Sequence, residues 1–97
     1  MVTVAWTDQS IADINTIAEY IAANSPKFAS VTVNKFFSRV RALEKQPRMG
    51  RVVPELNNEA VRELIEGNYR IIYQLVSEQQ VEILTVHHSA RQLYNLK

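Results

Sequence analysis

The spacing of apolar residues changes partway along this 97-residue chain, and that change constrains the fold more than any other feature. Up to about residue 45, the apolar residues recur every three or four positions, which is typical of helices with one buried side. From Val61 onward, the chain is rich in β-branched and aromatic residues in short runs bounded by turn residues, which is typical of strands. Helices followed by a block of strands predict an α+β fold.

Two helices are predicted in the first half, and each has a recognisable start signal. Thr7 or Asp8 offers an N-cap for the first helix, because either side chain can accept a hydrogen bond from a free backbone N–H. Ser25 offers an N-cap for the second, with Pro26 at its first position, where a missing N–H costs nothing. So short a turn between the helices requires them to pack antiparallel as a hairpin. The residues expected to be buried on these helices are Ile11, Ile14, Ile17, Ala18, Ile21, Ala29, Val33, Phe36, Phe37, Val40 and Leu43.

Four strands are predicted around this helical hairpin. Residues 2–6 form a short first strand, which is expected at the edge of the sheet. Residues 61–66, 69–76 and 81–87 form three further strands joined by tight turns, and such strands pair antiparallel. The segment between the helices and these strands, residues 46–54, is predicted to be a loop because it contains three breakers of regular structure.

The order β-α-α-β-β-β predicts a helical hairpin packed on one face of an antiparallel β-sheet, in a single domain spanning residues 1–97. On the central strand, the odd-numbered residues from Tyr69 to Leu75 share one face, which is the predicted core side. Arg70 then lies on the opposite face. Two helices can cover only one side of the sheet, so this second face is expected to meet solvent or a partner.

Composition and motifs exclude several classes of protein. The chain has no cysteine, so disulfide scaffolds and thiolate zinc sites are excluded. It has no long apolar run and no N-terminal leader pattern, so a soluble cytoplasmic protein is expected. Phosphate-binding glycine loops and nucleophile elbows are absent. His87 and His88 are neighbours on a strand and should point to opposite faces, so no metal site and no cofactor are predicted.

Positive charge is concentrated in the middle of the chain. The net charge is only +1, but residues 35–51 carry six basic side chains against one acidic side chain, Glu44, for a net of +5. Such a block can meet an anionic partner. The alternative is an ordinary solvated helix face. The basic residues of this block are Lys35, Arg39, Arg41, Lys45, Arg48 and Arg51.

The second sheet face carries the candidate functional residues. Arg70 and His88 are predicted to converge there, with Arg62, Arg91 and Tyr94 nearby. Arginine offers a planar fork of donors for oxyanions, and histidine can act as acid or base near neutral pH. The alternative is that the arginines form ordinary cross-strand ion pairs, which are worth under about 1 kcal/mol. The carboxylates available for such pairs are Glu63, Glu66 and Glu82.

Several short motifs follow one another along almost the whole chain. They are Tyr20-Ile21-Ala22, Ser25-Pro26, Pro47-x-x-Gly50-Arg51, Val53-Pro54-Glu55-Leu56, Arg62-Glu63-Leu64, Tyr69-Arg70-Ile71-Ile72-Tyr73 and Val86-x-His88-x-x-Arg91. This ordered set resembles the RelE/ParE superfamily, the toxins of bacterial type II toxin–antitoxin pairs. The resemblance implies two helices packed on an antiparallel sheet, a role such as plasmid stabilisation, and a cognate antitoxin as partner.

The superfamily contains mRNA-cutting members of the RelE type and gyrase-poisoning members of the ParE type. RelE-like members carry lysines at the positions of Val61 and Glu63 and a second arginine at the position of Ser89, and this chain lacks all three. Its ending, with His88 and Arg91, instead resembles the ParE branch. The resemblance therefore implies a DNA gyrase inhibitor that is not an enzyme. The target-binding residues implied in this way are Arg70, His88, Arg91 and Tyr94.

Two alternatives stay open. The first is a ribosome-dependent mRNA endonuclease like RelE or YoeB, with the ribosome and mRNA as partners and with Arg70 and His88 as catalytic residues. The second is a degenerate, non-toxic member that only binds its antitoxin. In every case a toxin–antitoxin hetero-oligomer is expected, with the antitoxin over the helical hairpin and a sheet edge. The residues expected to contact the antitoxin are Lys35, Arg39, Arg41 and Lys45.

Overall fold

In the computed structural model, which describes residues 1–89, two helices pack on a five-stranded sheet. In chain order the elements are β1 (Thr3–Trp6), α1 (Asp8–Ala22), α2 (Pro26–Arg41), a 3-10 turn (Ala42–Glu44), β2 (Arg51–Val52), β3 (Val61–Glu66), β4 (Tyr69–Leu75) and β5 (Gln80–His88). The predicted α+β fold, with a helical hairpin on the sheet, is confirmed. Within the described residues, neither helix is long and apolar enough to cross a membrane.

Both helices begin where their caps predict. The Thr7 hydroxyl accepts a hydrogen bond from the backbone N–H of Ser10, and the Ser25 hydroxyl accepts one from Phe28. Pro26 occupies the first position of α2. Each cap satisfies a backbone donor that has no partner inside the helix, which is worth about 1 kcal/mol.

The sheet is mixed, whereas a purely antiparallel sheet was predicted. The strand order is β1-β5-β4-β3-β2, and β1 pairs parallel with β5 at the predicted edge position. Only strands joined by tight turns must pair antiparallel, and β1 is separated from β5 by the rest of the fold. The predicted loop at residues 46–54 also contains a strand, because Arg51 and Val52 pair with β3. Two residues are too few to show a strand pattern in the sequence.

The main core lies between the helices and the sheet, as predicted. Ile71 and Tyr73 on β4 are fully buried against it, and Tyr69 and Leu75 pack at its margin. Two predicted core residues are wrong. Ile11 is 41% exposed and Phe37 is 38% exposed, although Phe37 still contacts the Trp6 ring. On α1 the buried residues are Ser10 and Ile14, so Ile11 lies about 100° around the helix from the buried side.

A β-bulge interrupts β5. Ile72 pairs with Thr85 but Tyr73 pairs with Ile83, which leaves Leu84 without a partner on β4. A bulge of this kind shifts the alternation of side chains by one residue. Just after it, the carboxylate of Asp13 on α1 accepts hydrogen bonds from the Thr85 hydroxyl and, at 3.1 Å, from the Val86 backbone N–H. Helix α1 is therefore fastened to β5 directly beside the bulge.

Part of the chain covers the second face of the sheet. We call residues 53–60 the cover loop. Val53 and Leu56 of this loop form a small apolar cluster with Val61, Ile72 and Leu84. The second face, which was expected to meet solvent or a partner, is thus partly covered by the protein itself.

The entry to β2 depends on a close contact with a buried tyrosine. The Tyr73 hydroxyl accepts a hydrogen bond from Gly50 N–H at 2.9 Å and donates one to the Pro47 carbonyl at 2.8 Å. A Cβ added at Gly50 would lie 2.6 Å from both the Glu63 carbonyl oxygen and the Tyr73 hydroxyl. Only glycine allows this approach. Burial of its hydroxyl raises the pKa of Tyr73, so the group stays protonated and can donate.

We expect Gly50→Ala to destabilise the protein by about 3 kcal/mol, since it overpacks the core and breaks the bond to Tyr73. Gly67→Asn is the matched control. Gly67 has φ +59° with no atom near its Cβ position, and asparagine adopts that conformation more readily than most residues, at a cost of about 1 kcal/mol. Urea unfolding followed by circular dichroism measures both losses. Equal losses would show that the Gly50 contact does not matter.

Candidate functional site

Arg70 lies at the centre of an ion-pair network on the second face of the sheet. Its Nε donates to Glu63 Oε1 at 2.6 Å, and its Nη1 and Nη2 donate to the two carboxylate oxygens of Glu55, both at 2.8 Å. Glu63 also accepts from Nε of Arg51. We call these four residues the Arg70 network. Only 8% of the Arg70 side chain is exposed, so the guanidinium is almost completely enclosed by its partners.

Four parts of the chain contribute to the Arg70 network, namely three strands and the cover loop. Strand register places Arg70 opposite Ile65 on β3, which makes Glu63 its diagonal neighbour on the same face. Arg51 on β2 pairs directly with Glu63. Glu55 comes from the cover loop, whose neighbouring apolar side chains hold it against the sheet. The network therefore ties β2, β3, β4 and the cover loop into one unit.

The Arg70 network contains two arginines and two glutamates, so its formal charges sum to zero. Two arginines flank Glu63, whose side chain has no exposed surface, and such a charge is tolerated only when it is paired. The hydrogen bonds from Arg70 lower the pKa of Glu55 from 4.5 to about 2. The same bonds raise the pKa of Arg70 further above its usual value. Glu55 and Arg70 therefore stay ionised at neutral pH, and their ion pair leaves the Nη1 and Nη2 fork of Arg70 occupied.

The ion-pair alternative considered for Arg70 holds for its contact with Glu63. The second partner, Glu55, was not identified from the sequence, because cross-strand spacing does not apply to a residue in a loop. A signal was present, since the segment Val53-Pro54-Glu55-Leu56 is one of the motifs that carried the resemblance.

The predicted convergence of Arg70 with His88 is wrong. Arg70 pairs with His87, and residues that pair directly across two strands share a face. His88 pairs instead with Tyr69, and their rings meet edge to face at 5.4 Å, on the side of the sheet that the helices cover. The bulge at Leu84 is the reason, because it exchanges the faces of the residues that follow it.

Arg62, which was predicted near Arg70, lies on the other face of the sheet. The Arg62 guanidinium donates to the backbone carbonyls of Glu59 and Gly50, both at 3.0 Å, and it pairs across the sheet with Tyr73 on the helix side. Arg91 and Tyr94 lie outside the described residues. Among residues 1–89, no group of three or more potential metal ligands occurs.

The basic residues predicted to contact the antitoxin lie on and after α2. Lys35, Arg41 and Lys45 are exposed, whereas Arg39 is half-buried. Arg39 donates to the Ile65 carbonyl at 3.3 Å and lies 3.8 Å from the Glu66 carboxylate, so it joins α2 to the end of β3. A shallow groove of about 460 Å³ lies there. Its lining residues are Val31, Asn34, Lys35, Ser38, Arg39, Ala42 and Glu66.

A second shallow groove, also of about 460 Å³, runs between the two helices. It is lined mainly by small side chains, including Ala18, Ala22 and Ala29. Tyr20 and Phe28 are both largely exposed, at 78% and 56%.

Comparison with known proteins identifies the class of protein to which this fold and surface belong. Residues 4–93 match the family model described as the ParE toxin of the type II toxin–antitoxin system, parDE. The chain therefore belongs to the ParE toxin family, within the RelE/ParE superfamily that its motifs resemble. It is also 30% identical over 91 residues to Toxin RelE2 of Caulobacter vibrioides, covering 94% of this chain and 99% of that protein.

Two solved structures share the fold. A chain of the chromosomal ParDE toxin–antitoxin system of P. aeruginosa superposes with a TM-score of 0.74, covering 91% of this chain and 96% of that chain. A chain of the RelBE2 toxin–antitoxin complex of Mycobacterium tuberculosis superposes with a TM-score of 0.59, covering 90% and 96%. Each is 23% identical to this protein. These likenesses show the expected architecture, and the family match makes the protein a type II toxin.

The Arg70 network should make stability depend on pH in acid. Because the pKa of Glu55 falls from 4.5 to about 2 on folding, its contribution is complete above pH 4.5 and is lost as the pH falls toward 2. We expect Glu55→Gln to be less stable than the wild type at pH 6, and this difference should shrink toward pH 2. Urea unfolding at several pH values measures it.

Glu59→Gln is the matched control for this experiment, since it removes one negative charge from the same cover loop outside the Arg70 network. Its stability difference from the wild type should stay near zero at pH 6, as expected for an exposed surface charge. A Glu55→Gln difference that is the same at pH 6 and at pH 2 would contradict the assigned role of the ion pair.

Proposed function

We propose that this type II toxin acts by binding DNA gyrase and inhibiting it, without cutting RNA. The observation that carries the proposal is that both arginines of the Arg70 network are paired with carboxylates of the protein itself. The resemblance places Glu63 at one of the positions where the RNA-cutting branch carries lysine, and its buried carboxylate binds Arg70. A phosphate entering this place would meet two carboxylates as well as two guanidinium groups.

Phosphodiester cleavage needs positive charge aimed at the reacting phosphate, because the transition state gathers negative charge on its oxygens. All three side-chain nitrogens of Arg70 already donate to carboxylates of the protein, those of Glu55 and Glu63. His88, the candidate acid or base, lies on the other face of the sheet beside Tyr69. The two groups that a nuclease would use together are therefore separated by the sheet itself, which favours a binding mechanism.

The family match also supports the gyrase proposal, since the matched family is that of ParE. The relative from Caulobacter vibrioides carries the name of a RelE toxin. Ribosome-dependent mRNA cleavage is therefore the alternative that an experiment must exclude.

We expect the purified protein to inhibit DNA supercoiling by gyrase and to leave ribosome-bound mRNA intact. His88→Ala and Arg91→Ala should each weaken inhibition about 5- to 30-fold, as truncating one contact in a broad interface costs about 1–2 kcal/mol. A nuclease would instead lose about 10²- to 10⁴-fold in cleavage on His88→Ala. Supercoiling assays and primer extension on ribosomal complexes measure the two activities.

The control for this experiment is Glu78→Ala, in the turn before β5 and at the opposite end of the strand from His88. It should inhibit gyrase as well as the wild type does. Arg70 is unsuitable as a variant here, because its removal would leave the buried Glu63 with one partner and cost about 3–5 kcal/mol of stability. The proposal fails if the wild type leaves gyrase unaffected and cuts mRNA on the ribosome.

We further propose that the antitoxin binds the groove between α2 and β3. Strand β2 pairs only with Arg62 and Glu63, so the outer edge of β3 from Leu64 to Glu66 has no strand partner within residues 1–89. Ile65, at this edge, is 46% exposed. An unpaired edge beside an apolar side chain favours strand addition by a partner. Lys35 in the groove favours an acidic segment.

Lys35→Glu should therefore slow association with the antitoxin encoded beside the toxin by roughly tenfold at low salt, and it should flatten the dependence of the rate on salt. Lys27→Glu, in the first turn of α2 and outside the groove lining, is the control with the same charge change. Arg39 is left intact because it joins α2 to β3. Stopped-flow mixing at several salt concentrations gives the rates. Unchanged rates for Lys35→Glu would remove the electrostatic part of this proposal.

A further inference from the structure

The guanidinium of Arg70 has one permanent partner and one that is accessible. Glu63 binds its Nε edge from inside the sheet and has no exposed side-chain surface. Glu55 binds the Nη1 and Nη2 fork from outside, and 47% of its side chain is exposed. The Nη1 and Nη2 fork is therefore bound by a carboxylate on the protein surface. Another molecule could approach the fork from the same side.

Replacing Glu55 with another carboxylate would keep the charges of the Arg70 network balanced. Without Glu55, the remaining three residues carry a net charge of +1, since two arginines then face Glu63 alone. A carboxylate from outside restores neutrality, and Glu55 itself returns to water, where an ionised carboxylate is well solvated. Removing Glu63 has no such compensation, because nothing from solvent reaches its place.

We propose that Arg70 is a masked binding site for an acidic side chain of the protein target, and that Glu55 is its built-in, displaceable ligand. The inference rests on the proposed function only in naming a protein target. The choice of a carboxylate comes from the geometry of the fork. Its two parallel N–H···O bonds of 2.8 Å to separate oxygens are the arrangement in which arginine recognises a planar carboxylate.

The network favours a carboxylate over a phosphate. The three residues that remain after displacement of Glu55 carry a net charge of +1, so one negative charge restores neutrality and a second one is left uncompensated beside the buried Glu63. A carboxylate carries one negative charge, whereas inorganic phosphate carries between one and two near pH 7. The apolar side chains on either side of Glu55, Val53 and Leu56, also remain packed on the sheet when only the Glu55 side chain swings away.

Chemical rescue of the isolated protein tests the site directly. Glu55→Ala empties the fork, and thermal unfolding is then followed with increasing sodium acetate, against sodium chloride at the same ionic strength. We expect acetate to recover most of the Tm that Glu55→Ala has lost, in a saturable manner. The Tm of the wild type should be the same in acetate as in chloride.

The control is Glu59→Ala, which makes the same charge change in the same loop and should not respond to acetate. If Glu55→Ala is unfolded without anions, the same titration is read as acetate-dependent refolding.

A folded Glu55→Ala protein that responds to acetate no more than to chloride would overturn the proposal, as would an unfolded one that acetate does not refold. Recovery with inorganic phosphate but not with acetate would overturn the assignment to carboxylates.

A binding measurement then connects the site to the target. If the target supplies the competing carboxylate, Glu55→Ala should bind gyrase about two- to fivefold more tightly than Glu59→Ala, the factor that corresponds to loss of a partly exposed competing ion pair. Weaker or unchanged binding would overturn the role of Glu55 as a displaceable ligand for the target. If the wild type does not bind gyrase at all while acetate rescue succeeds, the masked site stands and the gyrase proposal fails.

Discussion

The carboxylate of Glu63 is completely buried, and an unpaired charge in that position would cost several kcal/mol. Its two arginine partners come from the strands on either side of β3, so the carboxylate has both partners only when β2, β3 and β4 are all in register. Glu55 then completes the charge balance from the cover loop. A single buried charge thus makes the assembly of one half of the sheet cooperative.

The two faces of the sheet are stabilised by different kinds of interaction. The helix side has a large apolar core that includes Phe36, Leu43 and Tyr73. The second face combines a small apolar cluster under the cover loop with the polar Arg70 network. In the proposed arrangement, the antitoxin uses the groove between α2 and β3, whereas the target approaches the end of the sheet where Arg70 and His88 lie on opposite faces. The two partners would then depend on different residues.

Much of the fold could be predicted from the sequence, because local signals determine it. The caps at Thr7 and Ser25 and the core side of β4 follow from chemistry within a few residues. The parallel pairing of β1 and the two-residue strand β2 could not be predicted, since neither leaves a local pattern.

The site was harder to predict than the fold. Arg70 was found as a residue of interest, and its pairing with Glu63 followed from strand geometry. Its contact with Glu55 depends on how a loop folds back over the sheet, and the face of His88 depends on a bulge that strict alternation does not reveal. Both features arise from tertiary structure and are invisible to spacing rules.

The unpaired Leu84 has a consequence for comparing toxins of this superfamily. Two adjacent histidines follow it, and the bulge decides which of them shares a face with the arginine of β4 and which shares a face with the tyrosine beside it. A homologue of the same length without the bulge would place each histidine on the opposite face of the sheet, while an alignment still matched them column by column. Equivalent histidines in such proteins are therefore better defined by their partner across the strand than by their position in the chain.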